Sequence, residues 1–189
     1  MYNITEFKTE DNVEQKFVRS YLATYKYKGK EKRWEIVESM DSVVIFIYKK
    51  DTDEFVFVRQ FRAPIYYRNN IGDSIELCAG LVDKNISLID IAREEILEEC
   101  GYEVSNDRIE FVNRFSSSPG RSGAVSNLYY VEVSAEDKVS EGGGIHDEDI
   151  EVLYIKRTEY QDFVNGLKHP IASGMSYMYL WFEHIQQKR

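Results

Sequence analysis

Apolar and polar residues alternate in four runs along the first third of the chain, and this two-residue period predicts strands. The runs "FVRSYLATYKY" and "RWEIVES" flank the turn-like "KGKEK", and the runs "SVVIFIYKK" and "EFVFVRQFR" are joined by "DTDE". Two antiparallel hairpins are therefore expected. The third run is apolar on both faces, which is typical of a strand in the middle of a sheet.

The middle of the chain predicts a helix with clear signals at both ends. A turn-rich connection, "PIYYRNNIGD", leads to a strand, "SIELCAG". Ser87 and Asp90 have the spacing of a capping box, so the helix should begin at Leu88, and Gly101 should cap its end.

The last third continues with "IEFVNRFSSS", the loop "PGRSGAVS" and the strands "NLYYVEV" and "IEVLYIK". It ends in two predicted helices, "TEYQDFVNGL" and "SGMSYMYLWFEHIQQ". Strands that enclose one helix and are followed by others predict an α/β fold, with a mixed sheet between helical layers.

Composition narrows the class of protein. A chain of 189 residues with 43% hydrophobic and 30% charged residues is typical of a globular domain. We expect a cytoplasmic protein that does not enter a membrane, because there is no long apolar run and no signal peptide. A net charge of −9 argues against nucleic acid as a partner. Cys78 and Cys100 lie in apolar or helical stretches, so we expect buried thiols.

The predicted helix carries four glutamates in "AREEILEEC". At about 100° per residue, Glu95, Glu98 and Glu99 share the ridge that should pack, and only Glu94 lies on the polar side. Like charges on one ridge repel, and partial burial raises the cost. A divalent cation would remove the conflict, since clustered carboxylates suit Mg²⁺ or Mn²⁺. A solvated acidic face is the alternative.

Two further stretches carry candidate chemistry. Alternation puts Arg59 and Arg62 on opposite faces at the end of one strand, and each could also be an ordinary surface cap. The acidic loop "SEGGGIHDED" contains three consecutive glycines, which suit a hinge that closes over a substrate. An ordinary mobile surface loop is the alternative.

The segment "AGLVDKNISLIDIAREEILEECGY" resembles the Nudix box, a loop-helix-loop motif with a glycine, Arg-Glu, Glu-Glu and a second glycine at fixed distances. Gly80 matches the opening glycine and Gly101 the closing one. Glu95, Glu98 and Glu99 match the three glutamates of the helix.

Two positions depart from the motif. Ile86 stands where a glutamate is expected, and Glu94 stands where the family has an arginine that helps to orient a helix glutamate. Outside the box, "VRQFR", "ELCAGLVD", "EECGY" and "GGGIHDEDIEV" resemble the nucleoside diphosphate sugar pyrophosphatases. Within that branch, which includes ADP-ribose hydrolases, the altered box is most similar to UDP-sugar pyrophosphatases.

This resemblance implies a Nudix α/β/α sandwich over residues 41–189, plus a small N-terminal antiparallel β-region over residues 1–40. The N-terminal region would be exchanged between the subunits of a homodimer. The implied reaction is Mg²⁺-dependent hydrolysis of a UDP-sugar such as UDP-glucose to UMP and sugar 1-phosphate, with Mn²⁺ as a second candidate metal. Hydrolysis of ADP-ribose to AMP and ribose 5-phosphate is the alternative reaction. A nucleotide-binding or regulatory protein with weak or lost catalysis is the alternative of another class.

The resemblance also assigns the catalytic groups. The carbonyl of Ala79 would bind metal with Glu95 and Glu99, and Glu98 would act as a further ligand or catalytic group. Arg62 would contact the phosphates and stabilise charge. Glu148 would be the general base, with three rivals in the same loop: His146, Asp147 and Asp149.

Substrate binding is assigned to residues outside the box. Trp34 would stack on the nucleobase, although packing in a core is the alternative for a tryptophan in a strand. Arg59, Arg62 and Arg121 complete the predicted binding set.

Overall fold

The elements of the fold follow the predicted order. The structure is a computed structural model that describes residues 6–9, 14, 18–168 and 171–188. The strands are β1 Arg19–Tyr27, β2 Lys30–Glu38, β3 Ser42–Lys49, β4 Glu54–Phe61, β5 Asp73–Glu76, β6 Cys78–Leu81, β7 Glu110–Ser116, β8 Val125–Val133 and β9 Ile150–Lys156. The α-helices are α1 Ala63–Asn69, α2 Leu88–Cys100, α3 Tyr160–Gly166 and α4 Ser173–Gln186.

The main sheet has seven strands and is split along its middle. β3 and β4 pair with each other only near their hairpin, at Ile47–Lys49 and Glu54–Val56. Beyond that point they diverge, and β5 pairs with β4 while β6 pairs with β3. β8 is parallel to β3, which makes the sheet mixed and confirms β3 as a central strand. The divergence opens a gap in the sheet, and the candidate site lies there.

Helices cover both faces of this sheet. Residues of α2, among them Ile91 and Ile96, pack with Val43 and Val56 in one buried cluster. On the other face, residues of α3 and α4 pack against an aromatic set that includes Phe46. The predicted α/β/α layering is therefore confirmed. No helix in the described part of the chain is long and apolar enough to cross a membrane.

The ends of α2 are the predicted ones. Ser87 Oγ accepts a hydrogen bond from the backbone N–H of Asp90, at 3.2 Å, and Gly101 caps the other end with φ +71°. Only glycine adopts that left-handed conformation without strain, so these local signals define the helix.

Two elements differ from the sequence prediction. The segment predicted as a turn-rich connection contains the short helix α1, which has Pro64 in its first turn and ends at Asn70 in the left-handed conformation. The segment predicted as one strand, "SIELCAG", is divided at Leu77 into β5 and β6. The division has a tertiary cause, because the two halves pair with different strands on either side of the gap.

The first hairpin forms a separate two-stranded sheet. β1 and β2 are joined by Lys28 and Gly29, which have φ +50° and +73°, as in the tight turns that connect twisted strands. The loop is therefore shorter than the predicted "KGKEK". The hairpin meets the β7–β8 loop, where the backbone N–H of Val37 donates to the carbonyl of Arg121 at 2.8 Å.

Candidate active site

The gap between β3 and β4 opens into a cleft of about 530 Å³. Alternation along β4 directs Gln60 and Arg62 to the same face as α2, while the β6 backbone lies beside the acidic ridge of that helix. The cleft brings together six residues predicted from the sequence: Arg62, Ala79, Glu95, Glu98, Glu99 and Glu148.

Glu99 is the most deeply buried carboxylate of the ridge, with 4% of its surface exposed. Its Oε2 accepts a hydrogen bond from the backbone N–H of Ala79, at 3.0 Å. Burial raises the pKa of Glu99 to about 8, even though this hydrogen bond favours the ionised form. The thiol of Cys78 beside it is also buried, and burial raises the pKa of that thiol well above its usual value.

Glu95 lies against the backbone of Gly80. A Cβ atom at position 80 would come closer than 3.0 Å to the Glu95 carboxylate, so a larger residue there would displace that side chain. Burial and then repulsion by Glu98 raise the pKa of Glu95 to about 7, and the charge of Lys84 acts in the opposite direction. The ridge is therefore an environment in which carboxylates lack sufficient positive charge.

The ridge and the β6 backbone supply oxygen donors that fit a hard divalent cation. Val44 and Ala79 face each other across β3 and β6, yet the Ala79 N–H is directed to Glu99 instead of the neighbouring strand. The carbonyl of a strand residue points to the same side as its N–H, so the Ala79 oxygen also faces away from β3. Among residues 6–9, 14, 18–168 and 171–188, no three His, Cys, Asp or Glu side chains are arranged to hold a metal ion. The fit to a hard divalent cation therefore rests on donor chemistry, because such ions take carboxylate and backbone carbonyl oxygens as ligands.

Glu94, which replaces the arginine of the motif, forms an ion pair with Lys84. Its Oε2 accepts a hydrogen bond from Lys84 Nζ at 2.6 Å, across the loop that connects β6 to α2. This pair raises the pKa of Lys84, and the charges of Glu98 and Glu95 add to the effect. A positive charge thus reaches the ridge from the loop instead of from the helix.

Arg62 is fixed at the mouth of the cleft by Glu76 of β5. Its Nε and Nη2 donate to the two carboxylate oxygens of Glu76 at 2.9 and 2.8 Å. Burial would raise the pKa of Glu76, but the hydrogen bonds and charge of Arg62 outweigh it and lower the pKa. This bidentate pair orients the guanidinium and leaves its remaining N–H groups for an anion.

Glu148 reaches the cleft from a loop that is tied to the end of α2. Its Oε2 accepts a hydrogen bond from the backbone N–H of Ile145 at 2.9 Å. Upstream, Gly143 N–H donates to the carbonyl of Glu99 at 2.9 Å, and Gly144 N–H donates to that of Glu98 at 3.0 Å. These bonds fix the three consecutive glycines, Gly142, Gly143 and Gly144, to α2, whereas the sequence suggested a hinge or a mobile loop.

The other predicted residues lie outside the described lining of the cleft. Arg59 is on the opposite sheet face and forms an ion pair with Glu151 at 2.8 Å. Arg121 has an exposed side chain in the β7–β8 loop. Trp34 is 54% exposed on the hairpin, and its indole N–H donates to the carbonyl of Gly120 at 2.8 Å. The rivals of Glu148 are exposed and lie outside that lining as well: His146, Asp147 and Asp149.

Sequence reasoning missed Glu76 and Lys84, which line the cleft beside the predicted residues. A weak signal existed for Glu76, because it is a charged residue in an otherwise apolar strand segment. Lys84 gave no signal, since its partner Glu94 is reached only when the loop folds back onto the helix.

Comparison with known proteins places these features in a family. No family model matches the chain. It is 27% identical over 195 aligned positions to the uridine diphosphate glucose pyrophosphatase NUDT14 of Mus musculus, which covers 88% of both chains. It is 35% identical over 126 positions to the GDP-mannose pyrophosphatase of Citrobacter koseri, covering 66% of this chain and 64% of that protein. With the fold and the acidic ridge, these relatives show that the chain belongs to the Nudix hydrolases and is an enzyme of that family.

Proposed function

We propose that the protein hydrolyses the pyrophosphate bond of a nucleoside diphosphate sugar, with a UDP-hexose such as UDP-glucose as its substrate. The observation that carries the proposal is the cleft in which Arg62 faces the carboxylates of Glu95, Glu98, Glu99 and Glu148. Cleaving a bond between two phosphates requires groups that neutralise charge and groups that direct water to phosphorus.

The residues of the cleft divide this work. A divalent cation, Mg²⁺ or Mn²⁺, held by the Ala79 carbonyl and the ridge carboxylates would neutralise phosphate charge and lower the pKa of the attacking water. Arg62, held by Glu76, donates its free N–H groups to the phosphate oxygens. Glu148 accepts the proton of the attacking water while the new P–O bond forms and the bridging P–O bond breaks. The products are a nucleoside monophosphate and a sugar 1-phosphate.

A second cavity, of about 370 Å³, adjoins the cleft and offers room for the rest of the substrate. Val44, Glu76 and Ala79 line both spaces. The second cavity is mostly apolar, with the edge-to-face rings of Phe115 and Tyr177 on its wall at a centroid distance of 4.7 Å. It also carries four serines: Ser116, Ser117, Ser126 and Ser173. Rings beside hydroxyl groups suit a sugar or a nucleoside.

The relatives support a nucleotide sugar over other pyrophosphates. The UDP-glucose pyrophosphatases of Mus musculus and Bos taurus align over 88% and 84% of this chain, whereas the GDP-mannose pyrophosphatase aligns over 66%. We therefore put UDP-glucose first and GDP-mannose second. ADP-ribose, the alternative suggested by the sequence, belongs in the same test. The buried, unpaired thiols of Cys78 and Cys100 are in keeping with the cytoplasmic location that we propose.

Hydrolysis of a substrate panel tests the proposed function. With Mg²⁺, we expect kcat/KM for UDP-glucose to exceed that for GDP-mannose and ADP-ribose by at least about tenfold, since a matched pocket discriminates by roughly that factor or more. Product identification by phosphorus NMR should give UMP and glucose 1-phosphate. A preference for another sugar nucleotide would correct the substrate. No turnover with Mg²⁺, Mn²⁺ or Co²⁺ would instead favour the nucleotide-binding or regulatory alternative.

We further propose that the enzyme is a homodimer formed through the N-terminal region, residues 1–40. In the register of β1 and β2, Tyr21 lies opposite Ile36 and Ala23 opposite Trp34, so the aromatic side chains of the hairpin share one face with Ile36, while Leu22 lies on the other face. All of them are exposed: Tyr21, Tyr25, Tyr27, Trp34 and Ile36. An isolated two-stranded hairpin is marginally stable, which favours a second copy as the cover for this face. Trp34 lies on this face, so its proposed stacking on a nucleobase requires the ring to reach the cleft of the second copy across the interface.

Matched substitutions on the two hairpin faces test the dimer. Tyr25→Asp puts a charge on the aromatic face and should raise the dimer dissociation constant by about 100-fold, as expected for losing a central aromatic anchor. Thr24→Asp, on the other face, should change it little. Sedimentation equilibrium measures both, with 22.2 kDa as the mass of one chain. A monomeric wild type, or equal effects of the two substitutions, would contradict the proposal.

A further inference from the structure

Lys138 lies where the end of α2 meets the loop that leads to the three glycines, Gly142, Gly143 and Gly144. Its Nζ donates to the carbonyl of Cys100 at 2.9 Å, to that of Glu141 at 3.4 Å and to the hydroxyl of Tyr154 at 3.0 Å. The same ammonium lies 4.9 Å from the ring centroid of Tyr102 and 5.7 Å from that of Tyr154. Three hydrogen bonds use its full donor capacity, and two aromatic rings add to its fixation.

The positive charge of Lys138 lies at the C-terminal end of α2, which has no basic residue of its own. α2 has no basic residue in its last turn, although the C-terminus of a helix carries partial negative charge. Cys100, whose carbonyl Lys138 binds, is the last residue of α2 and directly follows Glu99. Lys138 therefore supplies from another part of the chain the cation that favours this helix terminus.

The residues after Lys138 continue the attachment toward the cleft. The N–H groups of Val139 and Ser140 donate to the carbonyl of Gly101, at 2.9 and 3.3 Å. The N–H groups of Gly143 and Gly144 then donate to the carbonyls of Glu99 and Glu98, and Glu148 follows a few residues later. Lys138 is outside the described lining of the cleft, so its effect on chemistry has to pass through these backbone contacts.

We infer that Lys138 is a positioning residue for hydrolysis, which sets the distance between the ridge carboxylates and Glu148. This inference rests on the proposed function. The end of α2 carries Glu98 and Glu99, and the loop fixed to that end carries the general base, so loosening the joint separates the two halves of the cleft. Groups misplaced by about an ångström can lower a rate by up to about 100-fold.

Replacement by methionine tests this role, because Lys138→Met keeps an unbranched side chain of similar length and removes the charge and the donors. We expect kcat for UDP-glucose to fall by about tenfold while KM changes by less than about threefold, as for a residue that acts on the transition state. Lys138→Arg, which restores a charged donor, should recover most of kcat. If K138M does not fold, as judged by circular dichroism, K138Q takes its place in the comparison.

Lys156→Met is the matched control, since Lys156 Nζ also binds a loop carbonyl, that of Thr52 at 2.9 Å, but near the β3–β4 hairpin. An unchanged kcat in K138M, or an equal loss in K156M, would overturn the inference.

Binding of Mn²⁺, followed by electron paramagnetic resonance, gives a readout that needs no turnover. If the wild type hydrolyses none of the panel, the proposed function is wrong, and Mn²⁺ binding alone tests the positioning role. In that case an Mn²⁺ affinity at least about fivefold weaker in K138M than in the wild type would support the role, and an unchanged affinity would contradict it.

Discussion

Glu99→Gln should lower kcat for the preferred nucleotide sugar by roughly 100- to 1000-fold, as expected when a ligand of a catalytic metal is lost. Glutamine has nearly the same shape, and its amide oxygen can still accept the hydrogen bond from Ala79 N–H. The fold should therefore persist while the charge disappears from the most buried position of the ridge. Glu103→Gln, an exposed position just beyond the helix, is the control and should leave kcat unchanged.

Thermal unfolding of the wild type and of E99Q, as a function of pH and metal, tests the same assignment. The pKa of Glu99 is about 8 in the folded protein, against 4.5 as its ordinary value, so the folded state keeps a proton that the unfolded chain releases between these pH values. Stability of the metal-free wild type should therefore fall as pH rises from about 4.5 to 8, and a cation that binds the ionised carboxylates should reverse the loss. We expect Mg²⁺ to raise the Tm of the wild type more at pH 8 than at pH 6.

In E99Q this pH-dependent rise should largely vanish, and at pH 8 in EDTA the variant should be at least as stable as the wild type. Activity within about threefold of wild type would contradict the role of Glu99 in the site. An undiminished metal-induced rise in Tm would contradict its role as a ligand.

Local signals made α2 predictable from the sequence. Ser87 and Gly101 determine the ends of the helix through contacts with their own neighbours, so the helical spacing of about 100° per residue could show which glutamates share the packing face. The burial of Glu99, which that spacing predicts, follows from the packing face alone. The departure at Glu94 could not be understood in this way, because its partner Lys84 belongs to a loop with no periodic pattern.

Pairing across the sheet made other features unpredictable. The run "SIELCAG" has the pattern of one strand, and nothing in it shows that β5 and β6 join different strands. The cleft depends on that division, so the sequence could predict the acidic ridge but not the gap that it faces. Lys138 is a similar case, since its partners Cys100 and Tyr154 are distant in sequence and meet only in the folded chain.

The three consecutive glycines, Gly142, Gly143 and Gly144, permit flexibility, but the structure gives another reason for glycine at the first of these positions. Flexibility was the reason suggested by composition. In the structure, Gly142 has φ +73°, and a Cβ atom there would come closer than 3.0 Å to the backbone carbonyl of Glu99. Close approach of two backbones, together with a left-handed conformation, accounts for glycine at this position.

Gly142→Ala should therefore destabilise the protein by about 3 kcal/mol or more, the sum of a left-handed penalty of roughly 1 kcal/mol and the displacement of packed backbone. Gly29→Ala is a closely matched control. Gly29 has the same φ of +73°, and a Cβ atom there would meet nothing within 4 Å, so only the conformational cost of about 1 kcal/mol applies. Urea unfolding at one protein concentration measures the difference between the two variants.

The activity of G142A separates a fixed segment from a hinge. If the glycines hold the loop against α2, displacing Gly142 also disturbs the adjoining hydrogen bond from Gly143 N–H to the Glu99 carbonyl, and kcat of the folded variant should fall by at least about tenfold. If the segment were instead a hinge, alanine at this position would cost only the conformational penalty of about 1 kcal/mol, as in G29A, and act mainly on the rate of closure. Equal free energies of unfolding for G142A and G29A would therefore contradict the tight junction between the loop and the helix. A larger loss of unfolding free energy in G142A, together with the fall in kcat, would show that the contact between this loop and α2 both stabilises the fold and positions the catalytic carboxylates.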